Sequence, residues 1–213
     1  MIKTCLLFLS LVSVCCASPV SAANGQSWNF RVFLNDREIG QHSFLVTRRD
    51  NATHVEVAAS FEVSFLFYRA YSYEHSNYEV WQGRCLHSIS SRTDDNGREY
   101  FVEGYNRDSV LYMQTVNGEN ELDGCIRTFA YWDADFLNSK SLLNPQTGEM
   151  VEIEVTDLGL DIINVRGKAV TGTRYRLESN EFTIDLWYSI DDRKWLAMES
   201  VTSTGSKLRY QAI

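Results

Sequence analysis

The sequence predicts an all-β, mainly antiparallel fold: one curled sheet of about ten strands forming a barrel or half-barrel, with at most short helical turns. Three observations carry this. Apolar and polar residues alternate with period two over most of the chain, which places successive side chains on opposite faces of a strand. Clusters of Asn, Asp and Gly recur between these runs and supply the positive-φ positions of tight hairpins. Proline occurs only at Pro19 and Pro145, so few runs are broken.

The runs follow in order. Trp28, Phe30, Val32 and Leu34 alternate with polar neighbours and end at Asn35-Asp36. Gly40, His42, Phe44 and Val46 share one face of the next run, closed by Arg49-Asp50-Asn51. Val55, Val57, Ala59, Phe61, Val63, Phe65 and Phe67 form a third. Hairpins continue through Tyr71–Trp81, Arg84–Thr93, Arg98–Tyr105 and Ser109–Val116, with turns at Gln82-Gly83, Asp94-Asp95-Asn96-Gly97 and Asn106-Arg107-Asp108. Met150–Val155, Lys168–Glu178, Phe182–Ser189, Lys194–Thr202 and Lys207–Ala212 complete the set. Helical spacing is confined to Asp133–Lys140 and Asp157–Ile163.

The first residues read as a cleavable secretory signal, residues 1–22, followed by one β-rich domain, 23–213. Lys3 precedes an apolar run from Leu6 to Ala17, and Val20-Ser21-Ala22 offers small residues for cleavage after Ala22. The run is about 12 residues, against the roughly 20 needed to span a bilayer, so no transmembrane segment is expected after cleavage. Val14 beside Cys15 argues against a lipoprotein signal. The expected location is therefore periplasmic or secreted. A formal charge of −8 argues against nucleic acid and anionic lipid headgroups as partners. Cys5, Cys15 and Cys16 leave with the signal, and Cys85 and Cys125 remain. In an oxidising compartment these two most simply form a disulfide, worth about 3–4 kcal/mol in the chain-entropy model. Two unrelated buried thiols are the alternative.

The hairpin around Gln82-Gly83 is the best candidate binding site. With those residues as the turn, Trp81 faces Arg84, His75 faces Ser90 and Tyr73 faces Arg92. Tyr73, His75, Glu79, Trp81 and Arg92 then share one face, with Tyr78, Val80, Cys85 and Ile89 on the other. Such a mixture of aromatic and ionisable groups suits an amphiphilic ligand if it lines a concavity, and a solvated outer face if it does not. No metal or cofactor is expected. His42, His54, His75 and His87 lack ligand spacing, and His54-Val55-Glu56 has no P-C-x-x-C to complete a zinc site. G-x-S-x-G, H-E-x-x-H and phosphate-binding glycine loops are missing too. Phe129-Ala130-Tyr131-Trp132 and Trp187-Tyr188 read first as core aromatics.

An ordered set of short motifs resembles a known family. It comprises Ile39-Gly40-x-His42-x-Phe44, Tyr73-x-His75, Glu79-x-Trp81-x-Gly83-x-Cys85-Leu86, Arg92-Thr93-x-x-Asn96-Gly97, Phe129-Ala130-Tyr131-Trp132, Leu143-Asn144-x-Gln146-Thr147-Gly148 and Leu186-Trp187-Tyr188. The set resembles exported bacterial proteins of domain of unknown function 6134 and, more loosely, domain of unknown function 3108. The resemblance implies an envelope location and a β-rich fold, and it brings no catalytic residues. The leading expectation is a non-enzymatic binding or carrier module for an apolar or amphiphilic envelope molecule. An envelope assembly or scaffold protein with a protein partner is the alternative, and a hydrolase using His75 and Glu79 the third reading. A sizeable apolar pocket would favour the first; a filled interior with an exposed apolar patch would favour the second.

Overall fold

The computed structural model describes residues 24–65, 68–201 and 205–213. The expected signal, 1–22, and Phe67 of the third run lie outside the described residues. Among the described residues there are fifteen strands, more than the sequence suggested. The first eight are β1 (Asn24–Leu34), β2 (Arg37–Arg49), β3 (Ala52–Phe65), β4 (Tyr68–Gln82), β5 (Cys85–Asp95), β6 (Arg98–Arg107), β7 (Val110–Thr115) and β8 (Gly118–Asp123). After a connecting segment come β9 (Ser141–Leu143), β10 (Met150–Glu152), β11 (Glu154–Val165), β12 (Lys168–Glu178), β13 (Thr183–Ser189), β14 (Trp195–Val201) and β15 (Lys207–Ala212).

Thirteen strands form one antiparallel sheet in the order β11-β12-β13-β14-β15-β1-β2-β3-β4-β5-β6-β7-β8. Every neighbour is a sequence neighbour except at the centre, where β15 pairs with β1. The chain thus begins mid-sheet, runs out to β8, crosses to the opposite edge at β11 and returns. The sheet is curled but not closed: among the described residues β8 pairs only with β7, and β11 only with β12. Gly40 allows two strands to approach closely, since a Cβ there would lie 1.9 Å from the Ser60 carbonyl oxygen.

The crossing segment between β8 and β11 fills the space beneath the sheet. It carries a 3-10 turn, Ala134–Asn138, capped by the Asp133 carboxylate, as the spacing of Asp133–Lys140 suggested. The β9–β10 hairpin follows. Ile126, Ala130, Phe136, Leu137, Leu142 and Leu143 join the buried core with inward residues of the sheet such as Phe30, Val32, Val55, Leu86, Val102, Leu177 and Leu186. Polar contacts fix the segment to the strands: the Tyr188 hydroxyl donates to the Tyr131 carbonyl at 2.8 Å, and Ser91 donates to the Pro145 carbonyl at 2.5 Å. Cys85 and Cys125 are bonded, with Cα atoms 4.9 Å apart, which fastens the start of this segment to β5. Among the described residues no helix is long and apolar enough to cross a membrane.

The helical turn expected at Asp157–Ile163 is instead part of β11. Gly159, at φ 80, absorbs a bulge between Asp157 and Gly159, and pairing with β12 continues on both sides. That bulge breaks the period-two pattern and imitates helical spacing in the sequence. The acidic run Gly118–Asp123 shows no apolar alternation, yet it pairs fully with β7.

Candidate functional site

β4 turns Tyr73, His75, Asn77, Glu79 and Trp81 to the inner face, all buried. Four of the five expected site residues therefore share a face. Arg92 does not join them. The turn is Gly83-Arg84 rather than Gln82-Gly83, because Gln82 pairs with Cys85. Gly83 has φ 60 at the first turn position, as a type II′ hairpin requires. With a bulge between Val80 and Trp81, the register sets His75 opposite Thr93, Glu79 opposite Ile89 and Arg92 opposite Ser76. The shifted turn keeps Leu86 on the face of Trp81, and the bulge reverses β5 from Ser88 onward relative to expectation. Ile89 is buried opposite Glu79, and Arg92 is exposed on the outer face.

The inner set forms a buried polar network. One Glu79 oxygen accepts from Asn77 Nδ2 at 2.8 Å, and the other from Trp81 Nε1 at 2.8 Å and Thr128 Oγ1 at 3.2 Å. Burial pushes the Glu79 carboxyl above the usual carboxylate range, against the pull of those three hydrogen bonds. Thr128 belongs to the crossing segment, as does Trp132, whose ring packs edge-on to Trp81 at 5.6 Å. Glu79 and Trp81 thus lock that segment under β4. His75 Nδ1 lies 2.8 Å from Thr93 Oγ1, and His42 Nδ1 lies 3.3 Å from the Tyr210 hydroxyl. Burial lowers His42 to about 3, helped by nearby His75, and lowers His75 to about 4. Both imidazoles are neutral at neutral pH. His75 and Glu79 hydrogen-bond to different partners, so the arrangement does not pair them as acid and base. Among the described residues no group of three or more His, Cys, Asp or Glu side chains is placed to hold a metal ion.

On the outer face, Arg92 pairs with Glu103 at 2.6 Å and sits over the Phe101 ring at 5.3 Å. It borders an open groove of about 880 Å³ with Ser43, Ala58, Ser60 and Ser76 among its lining residues. The aromatic candidates Tyr73 and Trp81 are on the opposite side of the sheet, beneath the strands.

The edge strand β11 supplies what the sequence reading missed. Leu158, Leu160 and Ile162 are 43%, 69% and 68% exposed. Beside them Asp161 accepts from Trp187 Nε1 at 3.1 Å, and Arg174 stacks over Trp187 at 5.0 Å while reaching Asp185 at 2.5 Å. Arg176 adds a second contact to Asp185 at 2.8 Å. This cluster braces the β11–β12 hairpin and leaves its apolar residues uncovered. The signal was present as Leu-Gly-Leu-Asp-Ile-Ile, a run too apolar for a solvated helical turn.

An open, curled antiparallel sheet with its concave side occupied by its own crossing segment defines a β-barrel-like protein. The chain belongs to the family described as Domain of unknown function (DUF6134), whose model matches residues 30–213. Its fold is similar to a solved structure from Brucella abortus, a β-barrel-like protein of domain of unknown function DUF1849. That match has a TM-score of 0.62 at 10% identity and covers 88% of this chain and 94% of the other. No curated protein matches the chain significantly.

Proposed function

We propose that this is an exported, non-enzymatic assembly or scaffold module of the cell envelope, engaging a protein partner along the β11 edge. The carrying observation is the outer edge of β11, which no described strand pairs, with Leu160 and Ile162 more than two-thirds exposed. Unpaired strands present rows of free N–H and C=O groups that another strand can complete, and apolar side chains add the driving force. The buried state of Tyr73, His75, Glu79 and Trp81 weighs against the carrier reading, since a ligand would have to displace the crossing segment to reach them. The Cys85–Cys125 disulfide accords with an oxidising compartment, and export to the periplasm is part of the proposal.

The test is site-specific photocrosslinking in the native envelope. A crosslinker at Ile162 is expected to yield polypeptide adducts, and one at Glu121 on β8 is expected to yield few. Equal labelling at both positions, or none at Ile162, would overturn the reading.

A further inference from the structure

We infer that the partner of the β11 edge is a second copy of this chain, paired antiparallel, β11 to β11, about Leu160. This rests on the reading of β11 as a protein-docking edge and names the occupant.

The backbone is available at the right residues. Arg166 (φ 52) and Gly167 (φ 78) form a type I′ turn between the paired residues Val165 and Lys168. In a two-residue hairpin the closing pair exchanges both backbone hydrogen bonds. Val165, Ile163 and Asp161 therefore bond to β12, while Asn164, Ile162 and Leu160 direct N–H and C=O outward. The Ile162 N–H confirms this direction: it donates to the Asp161 carboxylate at 2.8 Å rather than to β12. A partner carbonyl can take the place of that carboxylate.

Side chains and charge select the orientation. Antiparallel pairing about Leu160 sets Leu160 against the partner's Leu160 and Ile162 beside the partner's Leu158. Along β11 and its turn the two ends differ in sign, with Glu154 and Asp157 at one and Arg166 and Lys168 at the other. An antiparallel pair brings each basic end alongside the partner's acidic end. A parallel pair would juxtapose like charges, which is unfavourable. Head-to-tail pairing of β11 with β8 meets the same obstacle, because Glu119, Glu121 and Asp123 of β8 would run beside the acidic residues of β11. The remaining arrangement is two-fold and closed, and it uses the same patch on both copies.

Sedimentation of the purified protein and cysteine crosslinking test this together. Wild type is expected to show a concentration-dependent monomer–dimer equilibrium below about 100 μM. Leu160→Cys should form a covalent dimer on mild oxidation, and Glu121→Cys should not. Leu160→Lys, at a solvent-exposed position, should weaken dimerisation by at least about tenfold. Glu154→Lys and Arg166→Glu should each weaken it, and the double variant should recover it. A wild type that stays monomeric at about 100 μM overturns self-pairing. So does a dimer indifferent to Leu160→Lys, or one that Glu121→Cys captures as readily. A monomeric protein whose Ile162 still crosslinks to a different polypeptide in the envelope removes the self-pairing inference and leaves the docking edge standing. Absence of both removes both.

Discussion

The sheet ends on one side at β8, six residues carrying Glu119, Glu121 and Asp123, and on the other at β11, twelve residues carrying Leu158, Leu160 and Ile162. Both edges have unpaired backbone groups, but their surroundings differ. β8 is short and acidic, features that discourage another strand from adding to it. The chain that leaves it is fastened two residues later by Cys125. β11 is long, apolar at its middle and braced by the noncovalent Asp161–Trp187–Arg174–Asp185 cluster. An open sheet need not protect its two edges alike, and the unequal treatment here separates an edge that is shielded from one that is presented.

The two edges stay apart because the crossing segment is locked beneath the sheet, so the strongest way to break the comparison is to unlock it. Trp81 is 2% exposed and packs on Trp132. Trp81→Ala is expected to cost about 3–5 kcal/mol, the range for truncating a large buried aromatic. Urea unfolding checks this, and an unchanged midpoint would show that this contact does not hold the segment. Cys85→Ser acts on the β8 side alone. It should lower stability by about 2–4 kcal/mol while leaving self-association through β11 intact. Loss of association in a folded Cys85→Ser protein would mean that the edges are not independent.

Much of this architecture is legible in the sequence, and the failures have physical causes. Alternation and turn chemistry identify the hairpins from β1 to β7, and the cysteine count in an oxidising setting identifies the Cys85–Cys125 bond. The inward face of β4 follows from period two. Arg92 is misplaced in the sequence reading because of the bulge at Val80/Trp81, which is silent in sequence and reverses the faces of β5 beyond it. The turn at Gly83-Arg84 moves the register by two residues and by itself keeps the faces. The filled interior was hidden for another reason. Residues such as Ile126, Phe136 and Leu142 have no strand-like periodicity, and only the tertiary fold shows that they lie under the sheet. Tyr73 and Trp81 consequently read as wall residues of a cavity, although they are core.

The buried polar network between the edges gives a smaller effect that depends on pH. His42 and His75 fall from 6.5 in the unfolded chain to about 3 and about 4 in the folded one. Between those values the unfolded state binds more protons, so their contribution is full above 6.5 and is lost as pH falls. Going from about pH 7 to about pH 5 should cost about 2 kcal/mol for each histidine. Glu79 acts in the opposite sense, because its folded pKa is raised above 4.5 and the folded state keeps a proton that the unfolded state has released. Its contribution favours folding at low pH and declines as pH rises above 4.5. Wild type should therefore lose less stability on acidification than Glu79→Gln, which retains the histidine effect without the opposing carboxyl. Urea titrations at the two pH values decide it, and parallel profiles would contradict the opposing roles.

The smallest expected change in stability gives the sharpest test of the edge comparison. Glu121 is exposed on β8, and surface substitutions of this kind usually fall within about 0.5 kcal/mol. Glu121→Leu should thus barely move the unfolding midpoint, while it replaces a carboxylate with an apolar side chain at the centre of the shielded edge. Both edges would then be adhesive. β8 of one molecule could add to β11 of the next, a head-to-tail contact that uses different patches on the two partners and need not close. The expected outcome is a shift from a closed pair to larger, concentration-dependent species in light scattering. Adding Leu160→Lys to the same chain should abolish them, since one end of every contact is lost. If Glu121→Leu leaves the size distribution unchanged, acidity is not what shields β8, and its short length or the adjoining Cys125 tether must account for the difference between the edges.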